Sequence, residues 1–87
     1  MKMDIQREEA FAMVLVELEK AERKHPEFPT DPEKALAIIT EEFLELARAV
    51  NDMESRDRQK EEACHVAVTA MRFIEAMNQN KIKNWEV

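Results

Sequence analysis

Apolar side chains recur along three stretches of the chain at steps of three and four residues, which is the spacing of an amphipathic helix. The stretches cover about residues 4–24, 32–50 and 58–78. Glycine is absent, whereas alanine, glutamate, lysine, methionine and leucine, all good helix formers, are abundant. The pattern therefore predicts an all-α protein: a single domain, residues 1–87, of three helices with a tail at 81–87.

Proline and capping residues mark the ends of the predicted helices. Helix one ends at His25, because a residue that precedes a proline is disfavoured in a helix. Pro32 suits the first position of helix two. The candidate N-caps are Thr30 or Asp31 for helix two and Ser55 or Asp57 for helix three.

Each predicted helix has a face that we expect to be buried. On helix two the main apolar stripe consists of Leu36, Ile39, Phe43, Leu46 and Val50, and the stripe beside it of Ala35, Ile38, Glu42, Glu45 and Ala49. Helix one is expected to bury Ile5, Phe11, Val14, Leu15, Leu18 and Ala21, and helix three Ala63, Val66, Ala67, Ala70, Phe73, Ile74 and Met77. A core of three helices is thin, so we expect a homodimer that completes a shared helical bundle.

The composition disfavours several classes of function. The formal net charge is −6 and no basic run exceeds two residues, so binding to a nucleic-acid polymer is not expected. No stretch approaches the roughly 20 apolar residues of a membrane span, and the first residues lead into no signal-peptide core, so no membrane partner is expected. The single cysteine, Cys64, favours a reducing cytoplasm, and we expect it to be a small buried side chain.

Three carboxylates, Glu41, Glu42 and Glu45, lie within little more than one turn of helix two. Glu41 and Glu45 are four residues apart, where like charges destabilise a helix by about 0.2–0.5 kcal/mol. Glu42 and Glu45 belong to the stripe beside the apolar face, at the edge of the expected core. Carboxylates held together in such a place favour a hard divalent cation with oxygen ligands. On spacing alone, a solvated acidic face is the alternative.

Helix three carries a second polar cluster, formed by Glu61, Glu62 and His65. Glu62 and His65 are three residues apart and therefore share a face of the helix. Metal sites in helical bundles draw their ligands from facing helices. Sixteen residues separate Glu45 from Glu62, enough for the chain to turn and return, so we expect the two clusters to converge.

Together these motifs resemble those of the MazG-like, all-α nucleoside triphosphate pyrophosphohydrolases. That family carries Glu-Glu-x-x-Glu, a spacer and Glu-x-x-Asp, and residues 35–46 and 61–67 are similar to it. The resemblance implies Mg²⁺-dependent hydrolysis of an NTP or dNTP to the monophosphate and pyrophosphate, by a homodimer or homotetramer. It also implies that Glu42, Glu45 and Glu62 are metal ligands, and that Glu41 is an outer ligand or orients the attacking water.

The chain departs from the family at His65, which stands where aspartate is expected. Imidazole is a poor ligand for Mg²⁺ and a better one for Mn²⁺. His65 is therefore a metal ligand, a donor to a phosphate oxygen, or a histidine at the edge of the core. The loss of a carboxylate leaves two alternatives to an enzyme. One is a weak or silent module of the same fold that binds nucleotide or metal, and the other is a helical interaction protein whose acids are surface groups.

Three further residues are candidates for contacts with a nucleotide. Arg72 and Lys34 could contact phosphate, although an ion pair with Glu75 or another surface acid is the favoured interpretation of Arg72. Phe28, between two prolines, could stack on a base, although a hydrophobic plug under the connector is the favoured interpretation. Trp85, the only tryptophan, is expected to dock on a neighbouring surface.

Overall fold

The computed structural model describes residues 4–82, which form three α-helices and no strand. The helices are α1 (Ile5–Lys24), α2 (Pro32–Asn51) and α3 (Arg56–Asn78). The predicted all-α class is confirmed. Trp85 and its predicted docking lie outside the described residues. Within residues 4–82, no helix combines the length and the apolar character needed to cross a bilayer.

A side chain caps the first turn of each helix, as the sequence predicts for α2 and α3. Asp4, Asp31 and Ser55 accept hydrogen bonds from the backbone N–H groups of Arg7, Glu33 and Arg58. Such caps satisfy N–H groups that have no partner within the helix. Because Ser55 and not Asp57 is the cap of α3, that helix begins at Arg56, two residues earlier than predicted.

Residues in the left-handed region end α2 and α3 in a chain that has no glycine. Met53 has a φ of 51° and Asn80 a φ of 56°. The backbone N–H of Glu54 then donates to the carbonyl of Ala49 at 3.0 Å, which closes the last turn of α2. This tight closure returns the chain directly into α3 and keeps the acidic part of α2 beside the start of α3.

Helix α3 lies between the other two helices. Both α1 and α2 pack against it, whereas no Cα atom of α1 lies within 8 Å of a Cα atom of α2. Small side chains allow the close packing of α2 on α3: Ala35 is fully buried in a cluster with Ala76 and Ile82. Phe28 packs on the same cluster, which supports its interpretation as a plug under the first connector.

The prediction of the buried face of α2 is wrong for three of its five residues. Leu36, Phe43 and Val50 are 59%, 56% and 49% exposed in the single chain. In the neighbouring stripe the two alanines are buried instead, with Ala35 0% and Ala49 1% exposed, whereas Glu45 is exposed. The physical reason is size, because alanines let two helix backbones approach closely while a row of large side chains would hold them apart.

On α1 and α3, too, several residues that were predicted to be buried are exposed. Predicted core residues that are exposed in the single chain are Ile5, Phe11 and Leu15 on α1 and Ala63, Ile74 and Met77 on α3. The buried residues of these helices are Leu18 on α1 and Glu62, Cys64, Val68 and Ala76 on α3. Leu18 and Cys64 are buried as predicted. The chain therefore leaves much of its apolar surface uncovered.

Candidate metal centre

Glu42, Glu62 and His65 come together where α2 packs on α3. One ligand atom from each residue can be chosen so that all three lie within 4.8 Å of one another. Glu62 and His65 are one turn apart on α3, so they share a face. Glu42 meets them from the stripe of α2 that the structure buries. The predicted convergence of the two polar clusters is therefore present for these three residues.

Glu62 is the most informative member, because it is a carboxylate that is only 1% exposed. Its Oε1 is paired with Arg58, one turn earlier on α3. Its Oε2 is buried and has no hydrogen-bond partner, and the same is true of the Oε2 of Glu42. A buried polar atom without a partner costs about 1–3 kcal/mol, and more when it is charged. A single cation placed between two such oxygens would satisfy both of them.

His65 lies between these oxygens and α1. Its Nε2 is 3.1 Å from Oε1 of Glu17. Its Nδ1 is 3.8 Å from Oε2 of Glu42 and 3.8 Å from Oε2 of Glu62. Three helices thus meet at one imidazole ring, with Glu17 on one side of it and the two unpaired carboxylate oxygens on the other.

The electrostatics of the carboxylates reflect their crowding. Burial raises the pKa of Glu42, and the negative charge of Glu45 raises it further. Burial likewise raises the pKa of Glu62, against the opposing charge of Arg58 and with Glu45 adding to the rise. Glu45 itself is exposed and is not among the three converging residues. The negative charge of Glu45 acts on Glu42 and Glu62 from the rim of the centre.

The raised pKa of Glu42 predicts a pH-dependent effect of Glu42→Gln on the metal-free protein. A carboxyl whose pKa is higher in the folded state binds more protons there than in the unfolded chain. The free energy of unfolding then falls as the pH rises from the pKa in the unfolded chain, about 4.3, through the higher pKa in the folded protein. Above that pKa it stays low. The variant should therefore have a higher Tm than the parent at pH about 7 in chelator, and this gain should vanish near pH about 3.

Thermal unfolding followed by circular dichroism measures this difference at each pH. Glu19→Gln, at an exposed position of α1, is the matched control because it removes one charge away from the centre. A lower Tm for Glu42→Gln at neutral pH without metal would contradict the prediction, since it would mean that the ionised carboxylate stabilises the empty site.

The remaining predicted site residues lie outside this cluster. Glu41 is exposed on α2. Arg72 donates to the carbonyl oxygen of His25 at 2.7 Å and its guanidinium lies 5.4 Å from the centre of the Phe28 ring. Arg72 and Phe28 line a cavity of about 460 Å³, and Lys34 lines another cavity with Phe28. Arg72 and Phe28 therefore hold the first connector against α3.

The structure adds residues that the sequence interpretation left out. Glu17, Lys20 and Lys24 of α1 line a cleft of about 320 Å³ together with Glu42 and His65. Lys20 also pairs with Oε2 of Glu17 at 3.1 Å, and this bond lowers the pKa of Glu17. No local signal in the sequence identifies Glu17, because its partner His65 lies 48 positions away along the chain. No protein-family model, curated protein or solved structure matches the chain.

Proposed function

We propose that the protein is a divalent-metal-dependent nucleoside triphosphate pyrophosphohydrolase of the MazG-like class, acting in the cytoplasm. The observation that carries the proposal is the convergence of Glu42, Glu62 and His65 around two buried carboxylate oxygens without partners. A divalent cation satisfies both oxygens at once, whereas a solvated acidic face would leave neither of them buried.

The residues fit a divalent metal ion. Glu42, Glu62 and His65 would hold the ion, with Glu45 at the rim contributing charge and a further oxygen ligand. The family resemblance implies Mg²⁺, whereas Mn²⁺ accommodates the nitrogen ligand better. When bound, the ion neutralises phosphate charge and activates water for attack. Glu41 is proposed to orient that water.

The cleft beside the centre has two lysines that we propose contact the phosphates of the substrate. Lys20 and Lys24 line it on the α1 side, opposite the carboxylate of Glu42. Cations on one wall and a metal centre on the other would hold the phosphate chain between them, which is how phosphoryl-transfer sites position their substrates. The two lysines are proposed as phosphate contacts in place of Arg72 and Lys34, which line other cavities.

We also propose that the working form is a homodimer built on the exposed stripe of α2. The chain has 7094 Å² of accessible surface, whereas a folded monomer of its mass, 10.2 kDa, has about 5,300 Å². The difference between these two accessible surface areas is larger than the roughly 800 Å² that each partner buries in a stable dimer. Leu36, Phe43 and Val50 repeat every seven residues along this surface, the spacing of a helix–helix contact.

Hydrolysis of nucleotides by the purified protein tests the enzymatic proposal. With common NTPs and dNTPs and either Mg²⁺ or Mn²⁺, we expect release of pyrophosphate and the monophosphate. Glu42→Ala and Glu45→Ala should reduce the rate about 100-fold or more, because each removes charge that holds the ion. Glu41→Gln should lose turnover while metal binding persists, and Glu19→Gln should be unaffected.

Each alternative outcome has a defined meaning. Absence of pyrophosphate with every nucleotide and metal would overturn the enzymatic proposal, and retained activity in both alanine variants would overturn the site. A silent metal-binding module is the second candidate, favoured by the imidazole at His65 in place of a carboxylate. It predicts that metal raises the Tm without any hydrolysis.

A further inference from the structure

The imidazole among the carboxylates determines which metal ion the centre takes. We propose that His65 binds the ion through Nδ1 and that Glu17 holds the ring for this purpose, so that the site takes Mn²⁺ or another borderline transition-metal cation in preference to Mg²⁺. This inference rests on the metal-binding part of the function proposed above, and is independent of nucleotide hydrolysis.

The hydrogen bond to Glu17 fixes which ring nitrogen carries the proton. Nε2 of His65 is 3.1 Å from Oε1 of Glu17, and an ionised carboxylate can only accept. Nε2 is therefore the donor, and in a neutral imidazole the lone pair is then on Nδ1. Nδ1 is the atom that faces Glu42 and Glu62.

The contacts of Nδ1 suit a shared cation and not a hydrogen bond. The oxygens of Glu42 and Glu62 are each 3.8 Å from Nδ1, beyond the range of an N–H···O bond. Two ligands that are each about 2.2 Å from one ion stand roughly 3.1–4.4 Å apart, depending on the angle between them. The observed separations fall in that range, and both oxygens lack any other partner.

Glu17 is itself held in place. Its Oε2 accepts from Lys20 at 3.1 Å, so its two oxygens are used by different partners. A carboxylate behind a ligating histidine fixes the orientation of the ring and raises its basicity. Glu17 is therefore a positioning residue, which acts on the ion through His65 and does not touch it.

A nitrogen ligand changes the preference among divalent cations. Mg²⁺ demands oxygen ligands and retains its water, whereas Mn²⁺, Co²⁺ and Zn²⁺ accept imidazole. Besides the oxygen ligands of Glu42, Glu62 and the rim residue Glu45, the centre offers one imidazole, and a donor set that includes a nitrogen suits the second group of cations. Exchange of His65 for aspartate would restore the oxygen ligand that Mg²⁺ requires.

Binding of Mn²⁺ to the nucleotide-free protein tests this inference. Electron paramagnetic resonance of bound Mn²⁺ should show hyperfine coupling to an imidazole nitrogen, which His65→Asp should abolish. Titrations with Mn²⁺ and Mg²⁺ give the ratio of their affinities, and we expect His65→Asp to lower that ratio at least tenfold. The spectroscopic measurement needs only the unmodified chain, so an unstable variant does not remove the test.

Glu17→Gln tests the positioning role. We expect the affinity for Mn²⁺ to fall about 10–100-fold, the usual effect of removing such a carboxylate. A purely structural role would weaken Mn²⁺ and Mg²⁺ alike, whereas a positioning role lowers the Mn²⁺ to Mg²⁺ ratio. In a His65→Asp background the same substitution should leave the ratio unchanged. Glu19→Gln, two residues further along α1, is the matched control.

Three results would overturn the inference: no binding of Mn²⁺, bound Mn²⁺ without nitrogen coupling, or an unchanged affinity ratio in His65→Asp. None of these measurements involves turnover. Failure of the pyrophosphate assay would therefore leave the inference standing, and its own failure would leave an oxygen-ligated enzyme open to the assay.

Discussion

Glu62→Gln is expected to abolish the stabilisation of the protein by divalent metal. At a metal concentration about 100 times its Kd, binding stabilises the folded chain by about 2.7 kcal/mol, which corresponds to a rise in Tm of roughly 10–20 °C for a domain of this size. Glu62 is the buried carboxylate of the proposed metal centre, and its Oε2 has no hydrogen-bond partner. The amide of the variant offers no charge to the ion, so its rise in Tm should be close to zero.

The same substitution should leave the metal-free fold intact. The amide oxygen can keep the contact with Arg58, while the amide nitrogen can donate toward Glu42 or His65, whose facing atoms are acceptors. The metal-free variant should therefore unfold at or above the parent's Tm. Glu61→Gln is the matched control, because Glu61 also pairs with Arg58, at 2.5 Å, but is exposed. An equal rise in Tm with metal for Glu62→Gln and the parent would exclude Glu62 from the site.

The sequence predicts the helices of this protein well, because helix boundaries depend on local chemistry. Capping by Asp31 and Ser55 and the proline after His25 need only a few neighbouring residues, and the structure contains all of them. The buried faces of the helices are predicted less well, because they depend on how the helices pack together. Leu36 and Ala35 belong to adjacent stripes of one helix, and hydropathy favours the leucine while close packing of two helices favours the alanine.

The candidate centre could be predicted only in part, because only some of its contacts follow from local spacing along a helix. Glu62 and His65 share a face by their spacing, and Glu42 lies in a stripe that can meet them. Glu17 could not be assigned, because it reaches His65 across 48 positions of sequence and no local pattern encodes such a contact. Arg72 is a candidate for phosphate in the sequence, but in the structure it donates a hydrogen bond to the carbonyl oxygen of His25 instead.

Phe43→Glu is expected to convert the proposed homodimer into a monomer. Phe43 is 56% exposed in the single chain, in the middle of the stripe with Leu36 and Val50. In a symmetric dimer the substitution occurs twice, and truncation of a central interface residue costs about 2 kcal/mol or more per copy. The dimer Kd should therefore rise by a factor of roughly 1,000, measured by analytical ultracentrifugation.

The location of Phe43 beside Glu42 makes the control important. Met53→Glu places the same charge at a side chain that is 85% exposed in the second connector, outside the stripe, and should remain dimeric. Phe43→Glu should keep its helical circular dichroism and its binding of Mn²⁺, because Glu42, Glu62 and His65 come from one chain. A parent chain that sediments at 10.2 kDa would refute the dimer. Loss of Mn²⁺ binding in the monomer would instead mean that the second copy completes the metal centre.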